Sequence, residues 1–285
     1  MNKPWALITG ASRGLGEYLA KTFWDGGWNL ALVARSHEGL VRLTSNLPKH
    51  IGQEFTLFSC DLGVTKEVSA LVIDLHKQLP RLDALINNAA MHGPIGPLSQ
   101  NNLELWSRAL QVNLMSPVTL CHGLLDLLSA SSGGSIINIS GGGATAPRPN
   151  FSSYASAKAG LVRFSETLAQ EVLPLNIRVN CIAPGAMKTS LLEEVLRSGQ
   201  DVTGVNEFEL AQKVFGNGGA SMGRVADLAL FLAGDAGKGI TGKLISAVWD
   251  NWQEWPNHLD ELSISDAYTL RRIAGRDRGF SWGDK

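Results

Sequence analysis

Seven short apolar runs punctuate the first 249 residues: WALIT (5–9), WNLALVA (28–34), FTLFSC (55–60), LDALIN (82–87), GSIINIS (134–140), NIRVNCI (176–182) and KLISAVW (243–249). They are continuous rather than alternating, as expected of strands buried on both faces of a parallel sheet. Between them, amphipathic segments at 14–25, 65–79, 102–129 and 151–173 read as helices. Strand and helix repeated in this way predict an α/β fold, a doubly wound parallel sheet with right-handed crossovers. No Pro/Ser-rich linker and no internal repeat divides residues 1–249, which are expected to form one domain.

Two segments break the rhythm. Residues 190–222 carry five glycines around short helical pieces; this composition suits a mobile flap over a pocket, and equally an ordinary surface insertion. Residues 250–285 hold Trp252, Trp255, Tyr268, Phe280 and Trp282 among many charges. So aromatic an extension is expected to pack against its own domain or a partner subunit rather than to stay disordered.

Composition narrows the partners. At 44% hydrophobic, the 285 residues can build a large core. A net charge of -1 offers no basic field for nucleic acid and no polybasic patch for a membrane. Small molecules or other proteins are the expected partners. Cys60, Cys121 and Cys181 are far apart and form no Cys-x-x-Cys pair, so they read as reduced core thiols with no metal or disulfide role. The start, Met1-Asn2-Lys3-Pro4 running directly into WALITG, is too short for a signal peptide. No apolar run approaches the roughly 18 residues of a membrane span. A soluble, cytoplasmic protein is expected.

Candidate chemistry begins after the first strand, at Thr9-Gly10-Ala11-Ser12-Arg13-Gly14-Leu15-Gly16. Glycines at 10, 14 and 16 let the chain turn tightly and approach a pyrophosphate, while the following helix N-terminus offers free N–H groups to the anion. The second strand ends Val33-Ala34-Arg35, where an NAD site would normally place Asp or Glu on the ribose 2′-hydroxyl. Arginine there suits a 2′-phosphate, and Arg13 could add a second cation. The alternative is two solvated surface arginines; their placement favours NADP(H) over NAD(H). Asp61-Leu62 and Asn88-Ala89 follow the third and fourth strands, at the carboxyl ends where open sheets bind ligands. Asp61 could accept from an adenine amino group and Asn88 could line a ribose, although such residues are more often caps or turns.

Taken in order, these motifs resemble the short-chain dehydrogenase/reductase family. The resemblance rests on TGASRGLG at 9–16, NNAA at 87–90 in place of NNAG, Asn113, Tyr154-x-x-x-Lys158, and Pro184-Gly185 followed by Thr189, and it covers residues 4–248. It implies a Rossmann-type domain of the shorter, reductase-type branch. Tyr154 would act as general acid/base, with Lys158, four residues on and on the same helix face, lowering its pKa and holding the nicotinamide ribose. Asn113 would anchor a water relaying protons to Lys158. Pro184, Gly185 and Thr189 would hold the nicotinamide amide. A homodimer or homotetramer is also implied, although Ala247-Val248-Trp249-Asp250 stands where the family has Val-Asp-Gly-Gly.

One position departs from the pattern. The family's serine that hydrogen-bonds the substrate oxygen falls 13 residues before the tyrosine, and 154 − 13 is Gly141. Ser140 is one residue early, where a strand would point it to the other face. Three readings follow. A bulge at the glycine run could bring Ser140 into the site. Backbone N–H groups of Gly141–Gly143, or the hydroxyl of Ser152 or Ser153, could take its place. Or the donor is lost, leaving a weak enzyme or an NADP(H)-binding sensor or scaffold. The sequence thus reads as an NADP(H)-preferring oxidoreductase interconverting an alcohol and a ketone or aldehyde, with the binding protein as alternative. An epimerase acting by transient oxidation is a third possibility. Loop 91–101 and the 190–222 flap are expected to line the substrate pocket, whose ligand the residues do not specify.

Overall fold

The computed structural model describes residues 3–131 and 133–282. All seven apolar runs are strands of one parallel sheet: β1 (Trp5–Thr9), β2 (Asn29–Ala34), β3 (Phe55–Ser59), β4 (Ala84–Asn87), β5 (Ser135–Ile139), β6 (Arg178–Ala183) and β7 (Leu244–Ser246). Their order is β3-β2-β1-β4-β5-β6-β7. The order reverses between β1 and β4, and the crevice at the carboxyl ends there is where such sheets take ligands. The register pairs Leu7 with Ala31 and Leu85, so side chains in the middle of the sheet have no exposed face. That is why these strands read as unbroken apolar runs.

Helices cover both faces. One face carries α1 (Leu15–Asp25), α2 (His37–Ser45) and the later α10 (Met222–Ala233), with Leu19, Phe23, Leu40, Leu228 and Leu232 wholly buried. The other carries α3 (Thr65–Gln78), α5 (Ser116–Ser129) and α6 (Ser152–Glu171), through Val68, Leu75, Leu120 and Leu124. The single helix expected over 102–129 is instead α4 (Leu103–Leu110), a π turn at Gln111–Met115, and α5. Asn113 sits in the π turn, fully buried and bonded to Met91 beyond the helix as well as to Ala109 within it; such turns often mark functional positions.

The 190–222 segment folds as α7 (Ser190–Ser198), α8 (Gln200–Thr203) and α9 (Val205–Asn217), divided at Gly199 and Gly204. The start of α10, capped by Ser221, completes it. The C-terminal extension docks on its own domain. Trp252 and Trp255 are buried in the core beneath α10, Trp252 with its ring 5.0 Å from that of Phe231. Leu244 N–H donates to the Tyr268 carbonyl at 2.8 Å, so the extension pairs with β7 and covers a sheet edge. Lys243 Nζ donates to the Ser265 and Ala267 carbonyls, and α11 (Leu259–Ile264) packs Leu262 inward. This interlocking shortens the seventh run to three residues: beyond it, Ser246 Oγ accepts the Val248 and Trp249 amides and turns the chain away.

Candidate active site

At the carboxyl end of β1, Gly10 and Gly16 are required by contact: a Cβ would lie 2.9 Å from the Ala89 Cα at Gly10, and 2.8 Å from the Gly10 carbonyl carbon at Gly16. Gly14, at φ +56°, has no atom within 4 Å of where its Cβ would be. It is the open side of the loop, immediately before the α1 N-terminus, and Leu15 anchors that helix in the core. Ser12 packs against Gly39 of α2. Asn88 holds this loop: its Nδ2 donates to the Thr9 carbonyl at 2.9 Å. The Asn88 and Ala89 amides donate to Thr9 Oγ1 at 3.0 and 3.1 Å. Asn88 therefore ties the end of β4 to the end of β1.

Two cations stand at the same mouth. Arg13 and Arg35 are exposed, and neither forms a hydrogen bond or ion pair among the described residues. Asp61 is less free: Oδ2 takes Arg108 Nη2 at 2.6 Å and Oδ1 takes the Gly63 amide at 2.8 Å. Burial works to raise this carboxyl, but the Gly63 amide, Arg108 and then Arg35 outweigh it and hold the pKa below the usual range. Leu62 is buried beside it, its carbonyl accepting Ser116 Oγ at 2.6 Å. Beyond β6, Pro184 and Gly185 form the turn, with Gly185 against Val248. Thr189 caps α7 through its backbone, leaving its hydroxyl without a partner.

Tyr154 and Lys158 lie on the inward side of α6, 6% and 1% exposed. Lys158 Nζ donates to the Ile139 carbonyl at 2.7 Å and lies 5.7 Å from the Tyr154 ring centre. Burial pulls its pKa down to about 8. Burial pushes the Tyr154 phenol up, and the charge that opposes this comes from Arg148, which no motif singles out. Asn113 grips the loop after β4: Nδ2 donates to the Met91 and Ala109 carbonyls at 2.7 and 2.9 Å, while Oδ1 accepts the Met91 amide.

The glycine at 141 has a physical reason. A Cβ there would lie 2.9 Å from Tyr154 Cζ and 3.0 Å from Cε1, and nearer still to the phenol oxygen. The tyrosine uses the space that a serine would fill. Ser140 continues the ladder without a bulge, its N–H donating to the Ile182 carbonyl at 2.8 Å. Alternation places it on the face of Asn138, which bonds Ser165 of α6. Its Oγ is sealed from solvent and has no hydrogen-bond partner. Of the other candidates, Ser153 donates to the His92 carbonyl at 2.9 Å, and Ser152 Oγ accepts Trp106 Nε1 at 3.0 Å. Both hydroxyls are tied to these neighbours.

The 190–222 segment closes over Tyr154. Phe151 and Tyr154 share a small apolar cluster with Val195 of α7 and Ala211 of α9. A histidine–carboxylate hydrogen bond and an ion pair pin it down. His92 Nδ1 faces Glu194 of α7 at 3.1 Å, with its ring edge-on to Tyr154 at 5.0 Å. Arg148 meets Glu207 of α9 through Nε–Oε1 at 3.0 Å and Nη2–Oε2 at 2.8 Å. These partners are 102 and 59 residues apart in the chain, which no local pattern betrays. An open cavity of about 440 Å³ lies to one side, between Tyr18 of α1 and residues 218–223 at the start of α10. Among the described residues, no group of His, Cys, Asp or Glu could hold a metal, and no helix is long and apolar enough to cross a membrane. The three cysteines are buried and unpaired, their thiols pushed up to about 12, chiefly by burial.

Residues 4–199 match the family model described as short chain dehydrogenase. With that match, fold and site define an NAD(P)-dependent oxidoreductase. The chain belongs to the short-chain dehydrogenase/reductase family. Among its relatives is the 3-oxoacyl-(acyl-carrier-protein) reductase FabG of Chlamydia trachomatis serovar D, 32% identical over 85% of this chain and 94% of that protein. A short chain dehydrogenase of Shigella flexneri, solved with NADP, superposes with a TM-score of 0.75 at 28% identity, covering 87% of this chain and 98% of the other. The NADPH-dependent reductase YwfH, involved in bacilysin biosynthesis, gives 0.76 at 25% identity, covering 86% and 96%.

Proposed function

We propose that the protein is a cytoplasmic, NADP(H)-preferring oxidoreductase that interconverts an alcohol and a ketone or aldehyde, with Tyr154 as general acid/base. The observation that carries this reading is the buried phenol between two cations, Lys158 at 5.7 Å and Arg148 at 5.6 Å from its ring centre, under a segment that excludes water. In reduction, Tyr154 gives its proton to the substrate oxygen as charge develops there; in oxidation, the phenolate takes the hydroxyl proton. Lys158, titrating near 8, exchanges protons at working pH and replenishes the phenol, with Asn113 holding the loop past which the proton arrives. Ser140, whose buried hydroxyl has no hydrogen-bond partner, is the residue assigned to orient the substrate oxygen.

The residues fit a dinucleotide. Gly10, Gly14 and Gly16 with Ser12 and Leu15 would form its phosphate cradle, Asp61, Leu62, Asn88 and Ala89 the wall on the adenosine side, and Pro184, Gly185 and Thr189 the nicotinamide end. When bound, the nicotinamide supplies or accepts the hydride. The NADP preference rests on Arg13 and Arg35, exposed and unpaired where a 2′-phosphate would lie; the NADP-bound relative supports it. Exposed Leu103, Leu105 and Met115 along the helical run at 103–129 leave apolar surface that a homodimer or homotetramer would cover. The test is NADPH and NADH oxidation against a carbonyl panel by wild type, Arg13→Ala/Arg35→Ala and Tyr154→Phe. The reading expects turnover that the arginine variant shifts toward NADH and Tyr154→Phe removes. Tight NADPH binding with no turnover would favour a sensor instead.

A further inference from the structure

We propose that Arg148 is a positioning residue for Tyr154, and that Glu207 on the overlying segment governs how much of the Arg148 charge the phenol experiences. The inference rests on the assignment of Tyr154 as general acid/base. Arg148 comes from the loop before α6, its guanidinium carbon 3.9 Å from the Phe151 ring centre and 5.6 Å from that of Tyr154. Its side chain is 15% exposed and Glu207 23%, so the pair is largely out of water, where charges act further than at a surface. Both Glu207 oxygens are engaged, a fork that fixes the guanidinium plane against Phe151.

With the segment down, Arg148 and Glu207 together carry no net charge, and the phenol sees a dipole. With α9 raised, the carboxylate would leave and a bare guanidinium would remain beside the tyrosine. A cation favours the phenolate, so opening readies the base and closing readies the acid. By linkage, the phenolate in turn favours opening. Every charged or titratable group facing Tyr154 enters this balance: Lys158 from α6, His92 from the loop after β4 with Glu194 from α7 upon it, Arg148 from its own loop, and Glu207 from α9.

The experiment compares Arg148→Met, Arg148→Lys and Glu207→Gln with wild type by the pH dependence of kcat/KM for alcohol oxidation. It also follows tyrosinate absorbance on alkaline titration, referenced to Tyr154→Phe; only three tyrosines are present in the chain. Arg148→Met should move the apparent pKa of Tyr154 up by about 1 unit, and Glu207→Gln should move it down by about half a unit. Arg148→Lys should keep the wild-type pH profile while raising KM, since it retains the charge and loses the fork. A merely structural pair predicts otherwise, because both Arg148→Met and Glu207→Gln break the same tie. Shifts in one direction, or none, would overturn the proposal. If wild type turns over no substrate, the function assigned above fails, and the absorbance titration still decides the role of Arg148.

Discussion

Replacing Gly141 by serine restores the residue that the family pattern calls for, yet the structure predicts that it damages the enzyme. The added Cβ would meet Tyr154 Cζ at 2.9 Å, against a carbon–carbon contact distance of about 3.5–4.0 Å. The ring must therefore retreat by roughly 1 Å, and a displacement of that size from a productive geometry can cost about 100-fold in rate. Retreat is resisted on several sides, by the edge of His92, by Phe151 and Arg148, and by the apolar contacts of α7 and α9. A new hydroxyl could return on the order of 100-fold to 1,000-fold, but only by reaching the substrate oxygen, and here it contests the place of the phenol itself. We expect Gly141→Ala to lose about 100-fold in kcat/KM and Gly141→Ser at least about 10-fold, both with a melting temperature lowered by a few degrees through overpacking. Steady-state NADPH oxidation on the best substrate of the panel, with thermal melts alongside, checks this. A Gly141→Ser enzyme as fast as wild type or faster would refute the reasoning, since the phenol would then be free to move and the missing hydroxyl would limit the rate.

Other outcomes follow from burial. Lys158 titrates near 8 in the folded chain against 10.5 unfolded, so the unfolded chain binds the extra proton between those values, and the contribution of Lys158 to stability grows as pH rises through that window. The stability of Lys158→Met relative to wild type should fall by about 3 kcal/mol between pH 8 and 10.5 in urea titrations; a gap independent of pH would contradict it. With thiols pushed up to about 12, the native protein should leave Cys60, Cys121 and Cys181 almost unlabelled by a disulfide reagent at pH 8, and all three should react after denaturation. Because Trp252 is buried against Phe231 and α10, Trp252→Ala should cost about 3–5 kcal/mol, read by urea unfolding. A loss below 1 kcal/mol would mean that the extension is not part of the core.

The strands were legible because a parallel sheet buried on both faces leaves no polar position along its runs, and the glycine loop because its spacing follows from backbone crowding at Gly10 and Gly16. The helix over 102–129 was legible as one continuous run, and the π turn within it, where Asn113 reaches Met91 across the fold, was not. Counting back from Tyr154 located Gly141, but only packing reveals that the phenol occupies its space. Arg148 and His92 were invisible for the same reason: each acquires its meaning from a glutamate on a distant helix. The packing of Trp252 and Trp255 was legible, while Tyr268, Phe280 and Trp282 stay exposed, and the place of the extension, over β7 and under α10, was not legible.

The central claim is that Tyr154 transfers the proton while a bound nicotinamide cofactor exchanges the hydride. Its most direct test is the turnover of NADPH by wild type and Tyr154→Phe on one responsive carbonyl, with NADPH affinity measured in parallel by fluorescence. Tyr154→Phe should bind NADPH unchanged and lose at least about 100-fold in kcat. A Tyr154→Phe enzyme that binds NADPH and turns over at the wild-type rate would contradict it.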